Sequence, residues 1–342
     1  MTVDLAKLRS LARECGFELC GATPAKPAAD RRDFDAWVAS GFAARMSYLT
    51  DRRQQIRHDP ALLLPGAESV ICVGKLYNGP QPYSADLTNP EQGWIARYAW
   101  GEDYHAVLQR GLEQLARRLG DHQYKICVDT APLLERSYAR LSGLGWIGKN
   151  TCLINQESGS WFFLGELLTT LRVEGSTDIA PDRCGTCTRC IDACPTAAIV
   201  QQDGRRHTID SRLCISYLTI EMRGVYPAEL RQATGKHIFG CDICQEVCPW
   251  NSRAPITVEF GSEHHAPNLA MLAALTPEEF QRHFRGTPVP HARYTGFLRN
   301  VAIAMGNAAQ PGFRQPLEKL ARDEREPVAE AAQWALSMLG AA

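Results

Sequence analysis

The chain has 342 residues, enough for two or three domains at roughly 150 residues each. Hydrophobic residues make up 45%, which excludes a disordered chain, and the net charge of -1 leaves no overall field that would mark a bulk polyanion binder. No apolar run reaches the ~18 residues of a membrane span, and Met1–Arg9 carries an acid early and lacks the apolar core of a secretory signal, so a cytoplasmic protein with no membrane partner is expected.

Residues 4–15 place Leu5, Leu8 and Leu11 on one helical face. A second helical pattern runs over 33–49 around Phe34, Trp37, Val38 and Phe42. Pro65-Gly66 breaks the chain before a short apolar strand, Ser69–Gly74. A helix over 103–119 follows, with Leu108, Leu112 and Leu115 at helical spacing, then a strand at Tyr124–Val128 with Asp129 at its carboxyl end. A helix over 132–141 leads into the glycine-rich stretch Ser142–Gly148, and strands are predicted at 151–155 and 161–173. From about residue 256 the pattern is helical, with Phe297–Ala309 and Pro316–Met338 resembling a packed HEAT-type pair. The expected fold class is α+β: a mixed α/β N-terminal domain over 1–175, a ferredoxin-like domain over 176–255 and a helical HEAT-like region over 256–342, with part of 205–235 packed on the first domain.

Thirteen cysteines are too many for background, and their clustering indicates metal and not a disulfide framework. Cys184, Cys187, Cys190 and Cys194-Pro195 form the run C-x2-C-x2-C-x3-C-P of bacterial two-cluster ferredoxins, whose fourth cysteine serves the other cluster. A second run, Cys241, Cys244 and Cys248-Pro249, lacks its first cysteine, and Cys214 is the nearest substitute. The count closes on two [4Fe–4S] clusters: Cys184, Cys187, Cys190 and Cys248 for one, Cys194, Cys214, Cys241 and Cys244 for the other. C-x2-C pairs also build zinc ribbons, but the two x3-C-P ends fit iron–sulfur clusters better. Cys15, Cys20, Cys72, Cys127 and Cys152 stand singly in apolar surroundings and read as core packing.

Two clusters in series relay single electrons and transform nothing by themselves, so a further redox cofactor is expected. No dinucleotide or phosphate loop supplies it. The cobalamin pattern D-x-H-x-x-G starts at Asp103-Tyr-His105 and fails at Leu108. The residues alone therefore leave the electron acceptor open. Asp129, on its position alone, reads as an N-cap for the turn that follows it.

Five stretches together resemble one family: Val128–Arg136 (VDTAPLLER), Gly143–Asn150 (GLGWIGKN), Phe162–Leu167 (FFLGEL), Cys214–Glu221 (CISYLTIE) and Gly240–Asn251 (GCDICQEVCPWN). They resemble epoxyqueuosine reductase, over nearly the whole chain and in the family's order. The resemblance implies cobalamin in the N-terminal domain, and reduction of the epoxide of epoxyqueuosine, at the wobble position in a tRNA anticodon loop, to the alkene of queuosine. It makes Asp129 the proton donor and places Arg57, Arg97, Asp129, Leu153, Leu164, Ser216, Cys241 and Asp242 at cobalamin-contacting positions. A monomer served by an external electron donor is expected.

An RNA substrate calls for a basic surface. Residues 280–317 hold Arg282, Arg285, Arg293, Arg299 and Arg314 and no acid. Arg293 and Arg299, with Arg223 at the end of Ile220–Arg223, are the expected RNA contacts.

Overall fold

The computed structural model describes residues 2–175, 178–202, 204 and 206–340. The expected boundary at 175/176, residue 205 and the two chain ends touch residues outside these ranges.

The first half is built on a four-stranded antiparallel sheet in the order Leu19–Pro24, Ser69–Leu76, Phe162–Thr169, Tyr124–Cys127. The two central strands are apolar along almost their whole length because both faces are covered. On one face, Ile71, Val73 and Leu167 pack against helices Leu5–Glu14 and Tyr104–Arg118. On the other, Val70, Cys72 and Leu168 meet helix Glu135–Leu141. Asp4 and Asp103 cap the two long helices, each accepting backbone N–H groups of the first turn.

Several expected elements are divided. The 33–49 pattern is a helix over Arg31–Ala39 that ends at Ser40-Gly41, with Gly41 at φ +73°, and a separate turn at Ser47–Thr50. The predicted strand 161–173 stops at Thr169, and Arg172–Glu174 pairs in parallel with Thr2–Asp4 instead. Pro316–Met338 splits into Arg314–Leu320 and Glu326–Gly340, because the Asp323 carboxylate draws in the Arg325 backbone N–H at 2.9 Å and turns the chain. Strand Leu19–Pro24 escaped the sequence reading, since Leu-Cys-Gly-Ala-Thr-Pro carries only one β-branched residue and no clear alternation.

The helical region does not stand apart. Trp94, Trp100, Tyr217, Leu218, Ile238 and Phe239 share one continuous core with Phe280, Phe297, Val301, Leu317, Val328 and Ala335. Helix Glu326–Gly340 lies against Arg293–Ala308, and Gly306 makes the close approach possible: a Cβ there would stand 2.8 Å from the Cβ of Ala335. Segment 206–235 meets the N-terminal half directly, with Trp37 Nε1 donating to the Ile209 carbonyl at 2.7 Å and Ser211 N–H to Phe42 O at 3.1 Å. Among the described residues no helix is long and apolar enough to cross a membrane.

This shared core overturns one expected RNA contact. Arg299 is 1% exposed. Its Nη1 donates to the carbonyls of Met222 (3.2 Å) and Gly224 (2.8 Å), its Nη2 to Leu218 O (2.8 Å) and its Nε to Asn300 Oδ1 (3.1 Å). Helix Arg293–Ala308 is buried on all sides from Gly296 to Gly306, so Arg299 has no solvent face from which to reach a phosphate. Arg299→Ala removes the donors from three carbonyls at once. We expect it to lower stability by about 3 kcal/mol or more in urea unfolding, whereas exposed Arg293→Ala should stay within about 0.5 kcal/mol of the parent.

Candidate active site

The cysteines gather in two groups. Cys184, Cys187, Cys190 and Cys248 line one cavity of about 250 Å³ together with Lys149, Asn150, Ile154 and Trp250. Cys194, Cys214, Cys241 and Cys244 lie close enough that the thiols of Cys241 and Cys244 feel the negative charge of their neighbours in the group. Among the described residues no three His, Cys, Asp or Glu close on a point the size of a single ion. The first group instead surrounds a space, which suits a cubane held at its corners.

The glycine-rich stretch supplies what joins these groups. Lys149 Nζ donates to the carbonyls of Gly185 (2.7 Å) and Cys187 (2.9 Å), and Asn150 Nδ2 to Cys244 O at 3.1 Å. One dipeptide thus ties both cysteine runs to the first half. Cys152, read as core packing, sits with its thiol in hydrogen-bond contact with Cys244. Sequence reasoning gave none of the three this role, although Lys149 and Asn150 close the Gly143–Asn150 motif it singled out.

A second joint lies at Asp242. Strand His237–Phe239 pairs in parallel with Trp94–Ile95, and just beyond it the Asp242 carboxylate accepts the Arg97 N–H at 2.7 Å and Trp94 Nε1 at 3.3 Å. Burial pushes this carboxyl up to about 7. The structure therefore brings the expected Arg97 and Asp242 together, but the Arg97 side chain points elsewhere. Its guanidinium donates to the carbonyls of Gly79, Gln81 and Pro82 and lies over the rings of Trp100, Tyr83 and Trp161. Any contact of Arg97 with a cofactor is left to its backbone.

Asp129 stands two residues beyond strand Tyr124–Cys127, at φ +53°, a left-handed conformation rare outside glycine. Its carboxylate caps no helix. Its N–H donates to Glu135 Oε1 at 2.6 Å, and the side chain, 60% exposed, turns toward His105, whose Nε2 lies 3.4 Å from Asp129 Oδ2. His105 Nδ1 meets Asp103 Oδ1 at 2.7 Å. Burial lowers the affinity of the imidazole for its proton, but the hydrogen bonds and charges of Asp103 and Asp129 outweigh this and raise it to about 9. The ring is a cation at neutral pH.

The hydroxyls of Tyr48 and Tyr98 make no hydrogen bond among the described residues. Tyr98 feels the charges of Asp129, Asp242 and Glu221, and Tyr48 those of Glu221, Asp129 and Arg57. These groups come from both halves and lie near enough to feel one another's charge. Arg57 is buried beside Tyr48, donating to its backbone carbonyl at 3.0 Å. Leu153 is buried in its short strand, Leu164 half-buried in the sheet, and Ser216 half-buried in helix Ile215–Ile220.

Comparison with known proteins decides the family. Residues 57–130 match the family described as "Epoxyqueuosine reductase QueG, DUF1730", and residues 183–251 match "4Fe-4S double cluster binding domain". The epoxyqueuosine reductase of Xanthomonas campestris is 40% identical over 98% of this chain and 96% of its own. The chain belongs to the epoxyqueuosine reductase family. A crystal structure of an epoxyqueuosine reductase with an epoxyqueuosine-modified tRNA-Tyr stem loop superimposes with a TM-score of 0.88 at 29% identity, over 98% of this chain and 90% of that one. A Bacillus subtilis epoxyqueuosine reductase with its catalytic aspartate loop swung out of the active site matches at TM-score 0.77 and 26% identity over 98% of both chains.

In this epoxyqueuosine reductase the acid-free segment reaches the Asp129 loop. The His291 ring lies parallel to His105 with centroids 6.1 Å apart, and Asp103 N–H donates to Gly286 O at 2.7 Å. Arg282, Arg285, Arg293 and Arg314 are exposed around it. Arg223 is committed inward, donating to the carbonyls of Ile220, His291 and Ala292, so it shapes the turn that presents Arg293. His105 is the site residue that sequence reasoning passed over, having weighed it only as part of a failed cobalamin pattern. A histidine whose proton affinity is raised on folding contributes stability that is fully present below its ordinary value of 6.5 and is lost as pH rises through about 9. His105→Gln should flatten the fall of the urea midpoint with pH across that window.

Proposed function

We propose that this chain reduces epoxyqueuosine to queuosine at the wobble position of a tRNA, with cobalamin bound beside Tyr48, Tyr98 and Asp129, two [4Fe–4S] clusters feeding it electrons, and Asp129 as proton donor. One observation carries the reading: the longest acid-free segment, with Arg282, Arg285, Arg293 and Arg314 exposed, abuts, through His291 and His105, a left-handed loop that presents a carboxyl group. An electron-transfer module without a substrate needs neither feature.

The reaction consumes two electrons and two protons and releases the epoxide oxygen as water. The eight grouped cysteines would hold the clusters, with Cys241 beside Asp242 placing one of them at the joint with the first half. Tyr48, Tyr98 and Asp129 suit a large polar cofactor, since they offer polar groups that the described residues leave unpaired or exposed. Asp129, Leu153, Leu164, Ser216 and Asp242, with Arg57 and the Arg97 backbone, are the residues proposed to hold it. When bound, cobalamin supplies a strongly reducing cobalt centre.

The remaining chemistry belongs to the chain. An alkoxide is a poor leaving group, so the departing oxygen needs a proton in the transition state. Asp129 delivers it from just beyond the end of a sheet strand, beside the His105 ring. By likeness to the Bacillus subtilis relative, the loop carrying Asp129 is the catalytic loop. Exposed Arg282, Arg285 and Arg293 engage anticodon-stem phosphates, and His291 stands where a loop base enters. Electrons come from an external donor, and the chain works as a monomer.

Asp129→Asn keeps the size of the side chain and loses its proton. Single-turnover reduction of epoxyqueuosine in an anticodon stem-loop by chemically reduced enzyme should fall on the order of 100- to 10,000-fold, with cobalamin and iron contents unchanged. A variant within about threefold of the parent, well short of the general-acid range, would assign the acid to another group.

Replacing Arg285 and Arg293 with Ala should weaken stem-loop binding and lower its log–log salt slope by about 0.7–0.9 for each phosphate no longer neutralised. Cobalamin binding should not change.

A further inference from the structure

Beneath the Asp129 loop lies a pair of acids with no part in the steps above. Glu166 stands in the middle of strand Phe162–Thr169, opposite Cys72 on one neighbouring strand and Cys127 on the other, and is fully buried. Among the described residues no N–H or O–H donor reaches either of its carboxyl oxygens. Its hydrogen-bonding neighbour is the carboxyl of Glu135, on the helix that covers this face of the sheet. Two carboxyls form such a bond only when one of them carries a proton.

The surroundings say which one. Arg136 from the same helix and Arg57 from the turn after Arg53–Ile56 act on Glu135. Glu166 is surrounded by Glu135, Asp129, Cys72 and Cys127, with Tyr104 the remaining titratable group near the pair. Glu135 is also the acceptor of the Asp129 N–H. It is therefore the natural home of the charge and Glu166 of the proton. Burial first, then the nearby negative charges, push both carboxyls up, Glu135 to about 7.

We propose that Glu135 and Glu166 share one proton and that the singly ionised pair positions Asp129: Glu166 donates to Glu135, and Glu135 grips the Asp129 amide. The inference rests on Asp129 being the acid of the reaction. A non-glycine residue at φ +53° resists its own backbone conformation, so something must hold it, and this hydrogen bond does so. Loss of the shared proton at higher pH leaves two carboxylates in one buried site, and their repulsion frees the amide.

The test uses the full chain, reconstituted anaerobically with clusters and cobalamin and carrying 13C-carboxyl glutamate. Isotope-difference infrared spectra at neutral pH should show a protonated buried glutamate in the parent and in Asp129→Asn, and not in Glu166→Gln. Hydrogen exchange at the Asp129 amide should quicken with pH more steeply in the parent than base catalysis alone requires, and no more steeply than that in Glu166→Gln, whose neutral amide still donates to Glu135. Glu135→Ala should exchange roughly tenfold faster at neutral pH, the loss of one hydrogen bond. Should Glu135→Ala fail to fold, the Glu166→Gln arm decides alone. Absence of the protonated band, its survival in Glu166→Gln, or a parent exchange rate with no excess pH dependence over that variant would each overturn the proposal. Epoxide reduction retained by Asp129→Asn, with band and exchange as expected, would uphold the shared proton and remove only the role of Asp129.

Discussion

A single buried carboxylate governs how the two halves meet. Asp242 accepts the backbone N–H of Arg97 and the indole N–H of Trp94, and it follows Cys241 directly. A carboxylate at 2% exposure without donors would be costly. With these two it becomes a fixed point, and strand pairing between His237–Phe239 and Trp94–Ile95 sets the direction of approach. Cys241 and Cys244, which flank Asp242 in the chain, inherit their placement from this joint. Lys149 and Asn150 brace it from the other side by holding the carbonyls of both cysteine runs.

What the sequence revealed follows from the range of each interaction. The cysteine runs are local, and their spacing is readable because thiolates on one tight turn must share a cluster. The sharing of Cys184, Cys187 and Cys190 with the distant Cys248 in one cavity was legible only because the fourth thiol of the ferredoxin run belongs elsewhere. Contacts across the fold were not legible. Nothing near Lys149 shows that its ammonium reaches Gly185, and nothing near His105 shows that a sheet strand will deliver Asp129 to its ring. The breaks at Ser40-Gly41 and Asp323 were missed because periodic apolar residues continue on both sides of them.

The arginines mark a different limit. Charge along the chain counts Arg97, Arg223, Arg293 and Arg299 alike, yet backbone carbonyls occupy the guanidinium groups of three and leave Arg293 exposed. An arginine in a helix is free only if that helix has a wet face, and tertiary packing decides this. Arg299 sits on a helix buried on every side, where its planar fork satisfies carbonyls that no apolar residue could.

The one core shared by residues 94–100, 217–239 and the C-terminal helices also bears on how such a protein can change over evolutionary time. A reader domain on a flexible linker can be exchanged by recombination at its boundary. Here a replacement for the last eighty or so residues would have to reproduce the packing around Trp94 and Phe239 as well as the arginine that satisfies Leu218, Met222 and Gly224. Divergence in substrate recognition is thus channelled into substitutions at exposed positions such as Arg285 and Arg293, while the architecture passes down intact.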